Sequence, residues 1–258
     1  MSDPMPPVAP VLADHPHAPP DRKRVRAQRG DLMIARRKRR GRPEAPLPNH
    51  PAARARLRSS VRAADIVLAA TALFLLMPLM ALIMLAVKLT SRGPVLFSHR
   101  RLGHGGRVFA CLKFRSMIAR AEDHLEAVLA RDPVARAAWA RDHKLPDDPR
   151  VTRVGRYLRA SSLDELPQLW NVLRGEMSLV GPRPISPAEI ERYGRYIVDY
   201  YNTKPGITGL WQISGRSDVS YRRRVALDVA FARSQSLGLY CRILLLTVPA
   251  VLLARGSY

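Results

Sequence analysis

From Ile66 to Val87 the chain runs for 22 residues without a charge or a side-chain amide. A transmembrane helix needs about 20 predominantly apolar residues, so the run is long enough for a bilayer. Arg54, Arg56, Arg58 and Arg62 precede it, and Lys88 and Arg92 follow it. Lys and Arg concentrate on cytoplasmic flanks, so both ends read as cytoplasmic. Pro78 sits near the centre and supplies a bend, because proline removes a backbone hydrogen bond and clashes with the preceding turn. The expected element is a re-entrant membrane helix hairpin over 59–92; a single span with a tolerated proline is the alternative. The run is too long and too far from residue 1 for a cleaved signal peptide.

Beyond the run, Pro94–Ser98 and Arg107–Leu112 are short apolar segments on either side of Gly103-His104-Gly105-Gly106, a strand, glycine turn, strand pattern. Ala119–Trp139 is rich in helix formers and is broken by Pro133, and Lys144–Arg150 reads as a loop. From Val151 to Leu173 the apolar residues recur at helical spacing through Ser161-Ser162, with a helix start before Pro167 and a stop at Gly175. Leu166, Leu169, Trp170 and Leu173 fall on one face of that helix. A helix is expected over Pro187–Tyr201 and a loop over Lys204–Gly209. Tyr221–Ser234 is basic and amphipathic, and Leu239–Ala254 is an apolar helix interrupted by Arg242 and Pro249, suited to an interfacial or docked position. The fold class expected is α+β and mainly helical. It combines the re-entrant hairpin with a small cytoplasmic, membrane-associated domain (93–258) that carries a short β-hairpin and interfacial amphipathic helices.

Charge narrows the partners. Forty-three Lys and Arg against 21 Asp and Glu give a formal charge of +22, which calls for an anionic partner. Residues 1–58 hold 14 of the basic residues and 11 of the 22 prolines, with little to build a core, and read as a disordered Pro/Arg-rich tail. A polybasic stretch ahead of a membrane segment suits anionic membrane lipid, and nucleic acid is not expected at Arg36–Arg40. Two cysteines, Cys111 and Cys241, make no disulfide framework or metal motif, and the seven histidines form no pair at helical ligand spacing.

Asp164 and Glu165 are the pair with chemistry to offer. Neighbours on a helix point about 100° apart, so they do not flank one bond as glycosidase carboxylates do. One can attack as a nucleophile while the other holds a hard cation such as Mg²⁺. Ser162 to Glu165 also spells a capping box, and a helix cap is the plainer reading of the same residues. Lys113, Arg115, Arg153, Arg156, Arg159, Arg174 and Arg183 lie around the pair in sequence, and arginine grips phosphate through a planar fork. Proline on each side of Arg183 fixes the root of its side chain. Membrane, carboxylates and arginines together point to phosphoryl transfer involving a lipid.

Five blocks carry a resemblance: Lys113-Phe114-Arg115-Ser116-Met117; Asp148-Pro149-Arg150-Val151-Thr152; Ser162 through Leu169; Ser178 through Pro184; and Lys204 through Gln212. Their order and content resemble the bacterial sugar transferases, the monotopic polyprenyl-phosphate phosphoglycosyl transferases, over roughly residues 60 to 258. The resemblance implies transfer of a hexose 1-phosphate from a UDP-sugar to undecaprenyl phosphate with release of UMP. It implies Asp164 as the nucleophile of a covalent phosphosugar-aspartate and Glu165 as the Mg²⁺ ligand. Arg159 and Arg183 match phosphate-site arginines, and Lys113 and Arg115 are further candidates. It places the chain at the bacterial inner membrane with the catalytic domain on the cytoplasmic face, a homodimer and downstream glycosyltransferases being possible partners. Larger relatives carry extra membrane helices before this unit, whereas here only the basic tail precedes it, as in the short type that initiates exopolysaccharide assembly. Ser214–Ser217 and the C-terminal segment resemble that branch, which suggests glucose or galactose. A lipid-phosphate or nucleotide-sugar hydrolase and a non-enzymatic membrane adaptor are the competing functions.

Overall fold

The computed structural model describes residues 51–142, 145, 148–215 and 219–252; the expected tail up to residue 50, with its Arg36–Arg40 cluster, lies outside the described residues. Helix α1 (Pro51–Thr90) is one continuous helix with Pro78 inside it. It begins eight residues before the boundary read from sequence, because Pro51 suits a first turn and the Ala and Arg residues after it favour helix. It is not divided into the two arms of a helical hairpin.

One stripe of α1 faces the rest of the chain. Val61, Ala64, Ala69, Leu73, Met80, Ile83 and Val87 pack into three separate apolar clusters of the body. The other faces are bare: Val67, Phe74, Leu75 and Leu82 are 63–73% exposed. Each large apolar side chain left in water forgoes about 1.5–3 kcal/mol of burial, so a helix with this many needs lipid around it. Among the described residues, this helix alone has the length and apolarity to cross a membrane.

Strands β1 (Leu96–Leu102) and β2 (Val108–Phe114) pair antiparallel, with Leu96 opposite Phe114 and Leu102 opposite Val108. Both run further than the apolar pattern indicated, carrying His99, Arg100 and Arg101 on β1 and Lys113 on β2. Helices α2 (Ala121–Arg131) and α3 (Pro133–Asp142) meet at Asp132, whose carboxylate accepts from the Val134 and Ala135 amides at 2.8 and 3.1 Å. Pro133 does break the expected helix.

Helix α4 (Arg153–Ala160) is capped by Thr152, which accepts from the Gly155 amide at 2.9 Å. Gly155 is obligatory, since a Cβ there would stand 1.9 Å from the Ser116 carbonyl oxygen. After a 3₁₀ turn at Leu163–Glu165 comes α5 (Gln168–Arg174), closed by Gly175 at φ 82°. Leu169 is buried as expected, but Trp170 is 48% exposed and stacks under Arg174, because α5 is only seven residues long and turns its buried face through Leu169 and Val172.

A second sheet, unforeseen in the sequence, pairs β3 (Ser178–Val180) parallel with β4 (Gly206–Thr208). The backbones of Gly181 and Gly206 approach so closely that a Cβ on Gly206 would lie 2.0 Å from the Gly181 nitrogen. Between them the single helix expected over Pro187–Tyr201 is divided. A capping box of Ser186 and Glu189 starts it, α6 (Ile190–Tyr193) ends at Gly194 with φ 50°, and α7 (Ile197–Tyr201) follows. Helix α8 (Leu210–Ile213) precedes α9 (Tyr221–Arg233), and α10 (Leu237–Leu252) closes the described chain. Helix α10 docks through Leu239, Tyr240 and Ile243 while Leu245 and Val248 stay exposed.

Candidate functional site

Asp164 owes its position to a strained turn. Ser161 ends α4 and Ser162 adopts the left-handed conformation, φ 58°, which a non-glycine residue takes only at a cost of about 1–3 kcal/mol. The Ser162 side chain makes no cap bond, so the capping box read from sequence does not form. The turn carries Asp164 inward, to 7% exposure.

What it meets comes from β2. Phe109, Cys111 and Lys113 alternate onto one face of that strand, the first two in the core against Leu169. Asn171 of α5 locks the strand in place, accepting from the Leu112 amide at 3.0 Å and donating to the Ala110 carbonyl at 2.8 Å. Lys113 Nζ then reaches Glu165 Oε1 at 2.6 Å and Asp164 Oδ2 at 3.5 Å. Both carboxylates therefore converge on one cation even though they are adjacent in sequence.

Their environments pull them apart. Burial pushes the Asp164 carboxyl above the ordinary carboxylate range; Lys113 opposes the rise and Glu165 adds to it. Burial acts upward on Glu165 as well, but there Lys113, Arg183 and a hydrogen bond from Gln168 outweigh it and hold the group below its ordinary value. Lys113 feels burial downward and the two carboxylates upward, and the carboxylates win. Glu165 is thus the settled anion of the pair, and Asp164 the more basic and less satisfied one, the pattern that separates the roles of neighbouring titrating groups.

The arginines divide. Arg159 of α4 donates from Nε to Ser116 Oγ at 2.8 Å, and its charge acts on Asp164. Arg183 acts electrostatically on Glu165 and Lys113, and its guanidinium lies over Trp211, 5.4 Å from the ring centre. Arg115 is not with them. Its buried guanidinium closes the C-terminal end of α1, donating to the Ser91 carbonyl at 2.7 Å, to Ser91 Oγ at 2.8 Å and to the Pro94 carbonyl. A helix end leaves carbonyls without partners, and the terminal nitrogens of Arg115 are engaged there, away from the carboxylate pair. Arg159, Lys113, Asp164, Glu165 and Arg183 are the residues brought together.

Sequence reasoning passed over Gln168 and Ser116, which steady Glu165 and Arg159. Both lie inside blocks that carried the family resemblance, and that was the only signal for them. Among the described residues no three His, Cys, Asp or Glu side chains cluster as a metal site. Two carboxylates remain, hard oxygen donors of the kind Mg²⁺ uses when substrate phosphates and water complete its shell. A cavity of about 350 Å³ lies elsewhere, at the base of α1, lined by Arg58, Arg62, Lys204 and Tyr240 among others and by none of the residues converging on Asp164.

Residues 57–254 match the family model described as bacterial sugar transferase. Over 197 residues, 76% of this chain, the sequence is 50% identical to the "UDP-galactose-lipid carrier transferase" of Erwinia amylovora, covering 41% of that protein. It is equally similar, over the same share of this chain, to the "Exopolysaccharide production protein ExoY" of Rhizobium meliloti (strain 1021), of which it covers 87%. The "UDP-glucose:undecaprenyl-phosphate glucose-1-phosphate transferase" of Caulobacter vibrioides is 41% identical over 225 residues, 84% of this chain and 77% of that one. The matched span holds most of α1, both sheets and the convergence of Lys113 with Asp164 and Glu165, and the chain belongs to the bacterial sugar transferase family.

Proposed function

We propose that the chain is a phosphoglycosyl transferase that moves a hexose 1-phosphate, the hexose being glucose or galactose, from a UDP-sugar to undecaprenyl phosphate, the first step of exopolysaccharide repeat-unit assembly. The observation that carries this reading is the buried Asp164 carboxylate, more basic than usual and within 3.5 Å of a lysine that a second carboxylate also holds. An Asp164 oxygen attacks the phosphorus that bears the sugar, the bond from that phosphorus to the bridging oxygen breaks, and UMP leaves. An oxygen of undecaprenyl phosphate then attacks the same phosphorus and releases Asp164 as a carboxylate. Two displacements through one aspartate let a soluble donor and a lipid acceptor use the same shallow site in turn.

Arg159, Lys113 and Arg183 supply the positive charge that a diphosphate requires. Glu165 would hold Mg²⁺, with substrate phosphates and water completing its shell. Mg²⁺ bound in that place would neutralise charge on the diphosphate and the departing UMP.

The geometry of α1 supports re-entry. Just before its apolar run Arg62 donates to the Val172 and Leu173 carbonyls, and just past its end Arg115 holds Ser91. Both ends of the apolar run are thus fastened to one polar body, which favours a run that enters and leaves the bilayer on one face over a crossing. The catalytic body sits, in this reading, wholly on the cytoplasmic face of the inner membrane.

The test is a radiolabel transfer assay with purified protein in detergent, undecaprenyl phosphate, Mg²⁺ and a panel of UDP-sugars. Label passing into the lipid fraction with UMP release is expected, with both lost in Asp164→Asn. Free sugar phosphate in place of lipid-linked sugar would establish a hydrolase, and unchanged activity in the variant would reduce Asp164 to a structural residue.

A further inference from the structure

The cavity of about 350 Å³ at the base of α1 is lined by none of the residues that converge on Asp164, and the reaction above leaves it without a role. Arg58, Arg62 and Asp65 line it from α1; they are four and three residues apart and so share a face of the helix. Lys204 enters from the segment before β4, Phe231 from α9 and Tyr240 from α10. Three cations therefore line the cavity against one carboxylate. That carboxylate is already engaged, since Asp65 Oδ1 accepts from Ser178 Oγ, the Leu179 amide and the Tyr240 hydroxyl. Arg62 and Lys204 crowd one spot: a Cβ on Gly175 would lie 3.4 Å from Arg62 Nη2 and 3.6 Å from Lys204 Nζ. Arg62 is held there by the Val172 and Leu173 carbonyls at 2.5 and 2.7 Å. Among the described residues the Lys204 ammonium makes no hydrogen bond or ion pair, while burial and Arg62 both act to discharge it and Asp65 opposes them. Two like charges drawn together and half out of water are costly until an anion joins them.

The surroundings of these charges select the carrier of that anion. Val61 and Phe231 give the cavity apolar walls beside its cations, which a hydrated inorganic ion does not need. Asp65 is the last residue before the apolar run of α1, so the cavity stands at the level where lipid headgroups lie when that run is in a bilayer. Both helices that wall it carry apolar side chains left bare further along, Val67 and Leu68 on α1 and Leu245 and Val248 on α10. They lead from the charged cavity onto surface suited to acyl chains. An anionic phospholipid has the same order of parts, a charged phosphate diester followed by hydrocarbon.

We propose that this cavity seats the phosphate of an anionic glycerophospholipid, with Lys204, Arg62 and Arg58 as its contacts. The lipid is a bound partner and not a reactant, because the residues that hold it do not join the carboxylate pair. Bound there, it ties α1 to α10 and to the segment before β4 at the membrane surface. The inference rests on membrane insertion of α1 and is independent of the transfer reaction.

Thermal unfolding of the full chain in dodecyl maltoside, titrated with phosphatidylglycerol, phosphatidylcholine or inorganic phosphate, tests the site without any turnover. A ligand that binds only the folded chain raises the midpoint as it saturates. Phosphatidylglycerol is expected to do so, and neither inorganic phosphate nor phosphatidylcholine, whose phosphate carries a compensating choline, at the same concentration. Losing one hydrogen bond to a charged group is worth about a tenfold change in affinity, so Lys204→Gln should raise the half-saturating phosphatidylglycerol concentration by that factor. The Arg58 side chain is exposed, so Arg58→Gln leaves the packing alone and should weaken binding in the same direction, which decides the matter if Lys204→Gln does not fold. Arg56→Gln removes the same charge from the same helix outside the cavity lining and should leave the titration unmoved. Equal weakening in Arg56→Gln would reduce the effect to general attraction between a chain of charge +22 and an anionic lipid, and overturn the site. An equal shift with inorganic phosphate would give the cavity to a free anion and overturn the lipid, and no shift with phosphatidylglycerol would overturn the proposal outright.

Discussion

At Asp164 the decisive quantity is the balance between burial, which disfavours the anion, and Lys113, which favours it. The attacking form is the carboxylate, so transfer must fall as pH drops through the raised Asp164 value. Lys113→Met removes the charge that holds that value down, leaving burial and Glu165 unopposed except by Arg159. The acid limb of the pH–rate profile is therefore expected to move to higher pH, with kcat/KM down by about a hundredfold for the lost electrostatic stabilisation. A fall in rate with the limb unmoved would show that Lys113 binds substrate without tuning the nucleophile. Of this, the sequence made the residue types and their blocks legible. It did not show that Ser162 turns left-handed, so a capping box and a buried nucleophile looked alike in the one-dimensional pattern. Arg115 and Arg183 were equally basic on paper, and only the end of α1 distinguishes them.

Among the elements, α1 is fastened by a buried carboxylate just before its apolar run. Asp65 is 1% exposed and accepts through Oδ1 from Ser178 Oγ at 3.0 Å, the Leu179 amide at 2.8 Å and Tyr240 hydroxyl at 2.9 Å, joining α1, β3 and α10. Burial and Asp65 together raise the Tyr240 hydroxyl far above its ordinary value, so it remains a donor at all working pH. Asp65→Ala leaves three donors without an acceptor, and since each unsatisfied buried group costs about 1–3 kcal/mol, a loss on the order of 3 kcal/mol is expected. Asp65→Asn, which keeps an acceptor oxygen, should recover much of it. Thermal unfolding in detergent measures both, and equal midpoints for wild type and Asp65→Ala would show that apolar packing alone holds the helix. The β1–β2 hairpin was visible in its glycine turn, whereas β3 and β4 were not: three residues each is too short for an alternation to register, and their pairing is between segments far apart in sequence.

For the whole molecule, the consequence of holding both ends of the apolar run is topological. Between Asp65 and Val87 a helix rises about 33 Å at 1.5 Å per residue, comparable with the hydrocarbon core of a bilayer, so length by itself permits a crossing. Attachment to a single body opposes it. Single cysteines at Arg56 and Arg92, introduced in a background with Cys241 replaced, should both react with a membrane-impermeant maleimide in inverted membrane vesicles and both be protected in intact spheroplasts. Labelling of one from each side would establish a crossing. The sequence by itself determined that there is one long apolar helix, that the chain is strongly basic, that the body is mixed and mainly helical, and which family its blocks resemble, because apolar runs, charge and local motifs are properties of neighbouring residues. Only the tertiary structure decided that Lys113 faces Asp164 and Glu165, that Arg115 lies at the end of α1, and that both ends of the apolar run of α1 are held by one body. Those relations join residues tens of positions apart, and they are set by how strands and helices pack, which no local pattern encodes.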